Sequence, residues 1–561
     1  MPEVPHSSRL RGGALALLAL LSALSALTAA PPAVAATAAP APSRPVVTTD
    51  HGQVRGVGHG TYATYEGIPF AAPPTGRLRW QLPAPAANWR GVRDAGAPRE
   101  RCAQQSPESP GKTVGSEDCL YLNVTTPTGR AAGKAAENPP DKPTDKPAAK
   151  GRPVLVWVHG GGFTSGSGSD YAGERLAVRG DAVVVTVNYR LGMLGFFGHP
   201  ALGGAPDFGL ADQQAALRWV RANAAGFGGD PRNVTLFGES AGALSTCAQL
   251  VSPGSAGLFH KAVAQSGSCM TQIPAGATDP GGAAYSPWTP QNKVRDAGAD
   301  AARRLGCADG ANALACLRGL PLAKLVTPEL TEAFSTVAYG NALLPERPER
   351  ALEAGRFHRV PVVQGTNHDE MRLFVAQTLA NHPIPDANTY RTRLTGTFGS
   401  AAGAIEALYP AAKYPSPALA WSAVLTDRAW TCTTLRADRA LAARVPTYGY
   451  EFSDPDAPVI SGIPVVKGFP YGATHAFEMP YLFDIPAEPA FTPAQRELSG
   501  RMADYWTRFA RTSRPDPAGA PKWPAFQDKA PLVLSLAPGA GGIRALDPAV
   551  EHHCAFWDAH R

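Results

Sequence analysis

"LFGESAG", Leu236 to Gly242, sets Ser240 between two glycines at the end of the apolar run "VTLF". In a chain with 58 glycines a G-x-S-x-G match means little by itself. Its surroundings give it weight. The run before it reads as a buried strand, and "AGALSTCAQLVS" after it reads as a helix, so Ser240 falls on a strand-to-helix turn. Such a turn is crowded on both sides, which is a reason for Gly238 and Gly242. It also lifts the serine hydroxyl from the carboxyl edge of the sheet, where ligands bind in open α/β folds.

Upstream and downstream the same alternation continues. "VLVWV" (Val154 to Val158), "VVVTV" (Val183 to Val187), "VTLF" (Val234 to Phe237), "VPVVQG" (Val360 to Gly365) and "TYGYEF" (Thr447 to Phe452) read as strands. The first three are nearly continuous β-branched apolar runs, the pattern of strands covered on both faces. Leu210 to Phe227 reads as a helix with Leu210, Leu217, Val220 and Ala224 on one face. A second helix starts at Thr492 as N-cap with Pro493 behind it, and buries Leu498, Met502, Tyr505, Trp506 and Phe509. Strand and helix in turn predict an α/β fold: a large, mostly parallel sheet with helices on both faces. The Gly- and Pro-rich stretch Thr271 to Pro290 reads as an insertion over that sheet.

Composition narrows the class. Of 561 residues 44% are hydrophobic and 17% charged, as in a globular protein. Much of the net charge of +6 lies in a Lys/Pro-rich stretch, residues 129–153, which has no aromatic residue. It reads as an exposed solvated loop, so nucleic acid is not expected as a partner. Arg9 and Arg11 precede a Leu/Ala-rich run and the pattern Ala33-Val34-Ala35, so residues 1–35 read as a secretory signal peptide. Residues 36–45 read as a Pro/Ala-rich linker, and 46–561 as a single domain. After cleavage no stable membrane anchor is expected, and the location is extracellular. None of the eight cysteines forms a C-x-x-C pair and no nearby histidine cluster has the spacing of a zinc site, so no metal is expected.

Ser240 needs a base and donors for an oxyanion. "VWVHGGGF" supplies Gly160, Gly161 and Gly162 after a strand, where backbone N–H groups can approach a substrate oxygen, and the N–H of Ala241 adds a further donor. Among 13 histidines, His159 belongs to that glycine loop, His368 shares a loop with the candidate acids, and His552 and His553 lie beside Cys554. His475, in "GATHAFEMPYLF", follows the last strong strand by a loop and is the choice for the base. Asp369 and Glu370 are the candidate acids.

These landmarks carry a resemblance. "YEGIPFAAPPTGRLRWQLPAP", "SEDCLYLNV", "HGGGF", "NYRLGMLGF", "FGGDPRNVTLFGESAG", "HDEMRLF" and "WPAFQ", in that order from Val46 to Asp558, resemble the type-B carboxylesterase/lipase family. The resemblance implies an α/β-hydrolase fold whose insertions form an active-site gorge. It implies Ser240, Glu370 and His475 as the triad, an oxyanion hole of Gly161, Gly162 and Ala241, no cofactor, and a small-molecule ester as substrate. It also implies buried ion pairs of Arg79 with Glu117 and Arg190 with Asp212. One departure is Met371 after Glu370, where the family usually has glycine. A lipase acting on longer acyl chains is the alternative, and a non-catalytic adhesion-type member is the remote one; the filled triad argues against the latter. The short segment between Cys102 and Cys119 has neither an apolar patch nor an aromatic residue, which favours an esterase and argues against choline esters. Cys102–Cys119 and Cys307–Cys316 fit the family, Cys432–Cys554 would close a long loop, and Cys247–Cys269 pair by elimination. For His475 an acid-limb pKa of roughly 6–7 is expected, near that of a free imidazole.

Overall fold

The computed structural model describes residues 43–106, 109, 111–129 and 151–560. The signal-peptide reading and most of both the linker and the Lys/Pro-rich loop lie outside them. An 11-stranded sheet forms the frame. Its strands, in chain order, are β1 (Val57–Gly58), β2 (Tyr62–Pro69), β3 (Tyr121–Pro127), β4 (Arg152–Val158), β5 (Val183–Val187), β6 (Gly229–Glu239), β7 (Lys261–Gln265), β8 (Val362–Asn367), β9 (Thr447–Phe452), β10 (Val533–Leu536) and β11 (Arg544–Leu546). Across the sheet the order is β11-β10-β9-β8-β7-β6-β4-β5-β3-β2-β1. From β5 to β10 every pairing is parallel, and the antiparallel strands lie at the two edges.

The alternation of side chains sorts the core into two layers. Val154, Val156 and Val158 of β4 join one apolar cluster, with Val183, Val185, Leu236 and Val362. Their chain neighbours Leu155 and Trp157 join the other, with Val184, Phe237, Val263 and Val363. Successive residues of a strand point to opposite faces, so both faces must be covered by helices, and the strands read as unbroken apolar runs. All five residues of β5 are buried.

The predicted helices form with small shifts at their ends. One spans Phe208–Asn223 and runs into a 3-10 turn at Ala224–Phe227; Leu210, Leu217, Val220 and Ala224 are all buried. The other spans Pro493–Thr512, and its N-terminus is a capping box: Thr492 accepts from the Gln495 N–H while the Gln495 side chain accepts from Thr492. The strand expected at Val360 starts two residues later, at Val362. Thr271 to Pro290 stays out of the large sheet; Trp288–Pro290 pairs instead with Val337–Tyr339. No helix among the described residues is long and apolar enough to cross a membrane.

Candidate active site

β4, β6, β8 and β9 run parallel, so the loops that leave their carboxyl ends gather at one edge of the sheet. These loops carry His159 to Gly162, Ser240, Glu370 and His475. Between β6 and β7 on one side and β4 and β5 on the other the strand order reverses, and this is where open α/β sheets form crevices. Ser240 follows β6 directly, with φ 55° and ψ −121°, a conformation sparsely populated by any residue with a Cβ. The next residue begins the helix Ala241–Val251.

The flanking glycines answer to space. A Cβ on Gly242 would lie 2.0 Å from the Val158 carbonyl oxygen, and one on Gly238 would lie 2.6 Å from the same atom. The elbow is thus pressed against the end of β4. The loop after β4 is equally close: a Cβ on Gly160 would come within 2.6 Å of Glu239 Oε2 and 3.2 Å of Ser240 Cβ. Gly161 and Gly162 have φ of 96° and 62°, which turn their amides out of any regular ladder. Among the described residues, the N–H groups of Gly161, Gly162 and Ala241 have no backbone acceptor outside helix and strand ladders. His159 anchors the loop. Its buried ring stacks on Tyr189 at 4.4 Å, and burial pulls its pKa down to about 4.

His475 Nδ1 lies 2.6 Å from Glu370 Oε2, and the other oxygen of Glu370 accepts from the Asn367 N–H at 2.9 Å. Both side chains are buried, and the imidazole is flanked by Phe374 and Trp430 at ring distances of 4.9 and 4.8 Å. With Nδ1 on the carboxylate, Nε2 is the nitrogen left to exchange a proton. Asp369 is engaged elsewhere, with Arg372 at 2.8 Å, His368 at 3.1 Å and the Ala473 N–H at 3.1 Å. Met371 does not disturb the turn. It begins the helix Met371–Thr378, donates its N–H to Thr426 and accepts from the Trp430 indole on its sulfur.

Residues 43–557 match the carboxylesterase family. The chain belongs to that family. It is 33% identical over 510 residues to the para-nitrobenzyl esterase of Bacillus subtilis (strain 168), covering 88% of this chain and 94% of that one. It is 31% identical over 549 residues to the cocaine esterase of Homo sapiens, covering 91% of each. A solved structure of a PNB esterase superposes with a TM-score of 0.70 at 29% identity, covering 91% of this chain and 99% of that chain. The fold of this carboxylesterase is therefore the α/β-hydrolase fold, and its chemistry is carboxylic-ester hydrolysis.

Two buried acids surround His475 in this carboxylesterase that the motifs did not disclose. Glu239 Oε1 is 3.2 Å from His475 Nε2. Glu478 accepts from Asn367 Nδ2 at 2.7 Å, and its other oxygen faces Gln265. Burial pushes Glu239 up to about 8 and Glu478 up to about 7. His475 responds to opposite influences: burial lowers it, while the charges of Glu239 and Glu370 and the bond to Glu370 more than offset this and lift it to about 9. This lies above the roughly 6–7 expected from the sequence. Glu239 stands inside the quoted "GESAG" and Glu478 one turn beyond His475, yet nothing in a linear motif says that their side chains turn inward.

The supporting pairs are present. Arg79 meets Glu117 with two bonds of 2.6 and 2.7 Å and also donates to the Leu317, Arg318 and Leu320 carbonyls. Arg190 meets Asp212 with bonds of 2.8 and 2.7 Å. All four disulfides form as paired above: Cys102–Cys119, Cys247–Cys269, Cys307–Cys316 and Cys432–Cys554.

Proposed function

We propose that this chain is a secreted serine carboxylesterase that works through an acyl-enzyme on Ser240. His475 Nε2 takes the proton of the Ser240 hydroxyl, whose oxygen attacks the ester carbonyl. The N–H groups of Gly161, Gly162 and Ala241 receive the developing oxyanion. Glu370 holds the imidazole in the tautomer that leaves Nε2 free and stabilises its protonated form. The alcohol leaves with that proton. Water, deprotonated by the same histidine, then attacks the acyl-enzyme, and the acid departs with Ser240 restored. The observation that carries this reading is the buried 2.6 Å contact of His475 Nδ1 with Glu370, on loops that leave the sheet beside the strained Ser240.

The likeness to a para-nitrobenzyl esterase and a cocaine esterase favours dissolved esters with aromatic parts as substrates. A panel of p-nitrophenyl esters from acetate to palmitate, with and without an oil interface, tests this. Highest kcat/KM on short acyl chains without interfacial activation is expected; a marked preference for palmitate at an oil surface would make the enzyme a lipase instead. Secretion rests on the N-terminal signal pattern and on four disulfides, which persist in oxidising compartments. Edman sequencing of the protein from culture medium should start just after Ala35 or Ala36; retention of the whole chain in the cells would refute it.

A further inference from the structure

A second cluster of titratable side chains takes no part in this mechanism. His368 follows β8, two residues before Glu370; Glu451 lies on β9; His552 lies just before the C-terminal helix Cys554–Ala559. One ligand-capable atom from each falls within 4.8 Å of the other two.

Each imidazole is backed by its own carboxylate. His552 Nδ1 is 2.6 Å from Asp427, which sits on a π-helical turn (Asp427–Thr431), and His368 Nδ1 is 3.1 Å from Asp369. Both Nε2 atoms are thereby turned to the remaining acids: His552 Nε2 is 2.7 Å from Glu451, and His368 Nε2 is 3.1 Å from Glu551. A carboxylate behind the far nitrogen is the outer shell that metal-bound histidines carry, because it orients the ring and raises its basicity. The spacing agrees. Two imidazoles on a tetrahedral ion with bonds of about 2.0–2.1 Å have ring centres ~5.2 Å apart; those of His368 and His552 are 5.3 Å apart at 60°. An open cavity of about 340 Å³, lined by His368, Glu451 and Glu551 together with Arg372 and Arg544, gives an ion a way in from solvent to these three groups.

We propose that His368, Glu451 and His552, with the solvent-exposed Glu551 as fourth ligand, bind one divalent transition-metal ion of the Zn2+ type. Imidazole with carboxylate suits zinc, whereas Mg2+ and Ca2+ require all-oxygen surroundings. Each ring has a carboxylate at both nitrogens, and a cation bound at Nε2 takes the place of whatever proton that nitrogen carries, which passes to water. The ion would clamp the loop that carries Glu370 to β9 and to the C-terminal segment, which Cys432–Cys554 already ties down. This does not depend on the ester-hydrolase reading.

The test uses the full chain without an affinity tag, stripped with EDTA, dialysed free of it and titrated with ZnSO4 by calorimetry in two buffers of different ionisation enthalpy. Uptake of one Zn2+ with release of protons is expected, with a rise in Tm of several degrees and no response to MgCl2 or CaCl2. Co2+ in place of Zn2+ should give the visible absorption of a four-coordinate ion. His552→Gln alters a fully buried group, so His368→Gln and Glu551→Gln, whose side chains reach solvent, decide the matter. His368→Gln should weaken binding by ~100-fold or more, as loss of a ligand must exceed the 10–100-fold effect of an outer-shell partner; Glu551→Gln should weaken it less. Absence of stoichiometric uptake, uptake unchanged in His368→Gln, or preference for Ca2+ would overturn the proposal, and kcat on a p-nitrophenyl ester would be unaffected by that failure.

Discussion

Glu239→Gln tests the electrostatics around the base most directly. The substitution keeps the side-chain shape but removes a carboxylate whose oxygen lies 3.2 Å from His475 Nε2. At an effective dielectric of about 20, a full charge at that distance favours the imidazolium by at most on the order of 5 kcal/mol. Less is realised, because burial raises Glu239 toward its neutral form, in which it exerts no full charge on the imidazole. Among the groups that raise His475 from 6.5 to about 9, Glu239 has the largest effect, followed by Glu370. Its removal should therefore shift the His475 pKa downward by about one to two pH units, each worth about 1.4 kcal/mol. In the proposed mechanism, attack on the ester requires neutral His475. Wild-type kcat/KM must then fall as pH drops through the raised pKa, and the variant's acid limb must lie at lower pH. The assay is kcat/KM for p-nitrophenyl butyrate from about pH 5 to 10, read at the isosbestic wavelength of p-nitrophenol. The variant should keep a larger fraction of its own maximum at about pH 6 than the wild type does. An acid limb that stays in place, or moves upward, in a folded variant would refute the assignment of Glu239 as a charge acting on the base.

Ser240→Ala and His475→Ala should each lower kcat by on the order of 10⁶, and the double variant by little more, since the two act as one unit; near-normal single-turnover rates in Ser240→Ala would discard the triad. Glu370→Gln should cost more than Asp369→Asn in kcat/KM on the same ester, because only Glu370 contacts His475; the reverse order in folded variants would exchange the two roles. Gly242→Ala drives a Cβ to 2.0 Å from the Val158 carbonyl, and since the obstacle is backbone in a central strand, urea denaturation should register a loss at or above the upper end of about 1–3 kcal/mol; an unchanged midpoint would mean that the elbow is looser than described. The Cys432→Ser, Cys554→Ser double variant opens a loop with a sequence separation of 122 and should lose about 4–5 kcal/mol in the chain-entropy account, with peptide mapping of the unreduced wild type expected to recover the cross-linked pair.

Much of this architecture was legible in the chain because parallel strands buried on both faces must be apolar throughout. Val154 to Val158, Val183 to Val187 and Val234 to Phe237 needed no structure to be found. The antiparallel strands Tyr62–Pro69 and Tyr121–Pro127 escaped notice, since their burial is partial and their sequences mix polar with apolar residues. The turn at Ser240 and the glycines after β4 were also legible, because a tight turn and a close backbone approach restrict residue type locally, whereas Glu370 was chosen on the family resemblance and His475 on its place in the chain. Between Asp369 and Glu370 the residues alone could not choose. The two are adjacent in sequence, and the direction in which each side chain leaves the loop is set by Ala473 and Arg372 for one and by Asn367 and His475 for the other.

What only the tertiary structure decided are the contacts between residues far apart in the chain. Glu239 and Glu478 become groups that tune His475 because three loops bury them in one low-dielectric space, and burial, not sequence neighbourhood, raises a carboxyl pKa. His368, Glu451 and His552 are separated by 83 and 101 residues, so no spacing rule connects them; β8, β9 and the C-terminal segment bring their ligand atoms within 4.8 Å. Turn chemistry and strand burial act over a few residues and leave a local record in the sequence. Electrostatic environment is made by packing, and is written only in the fold.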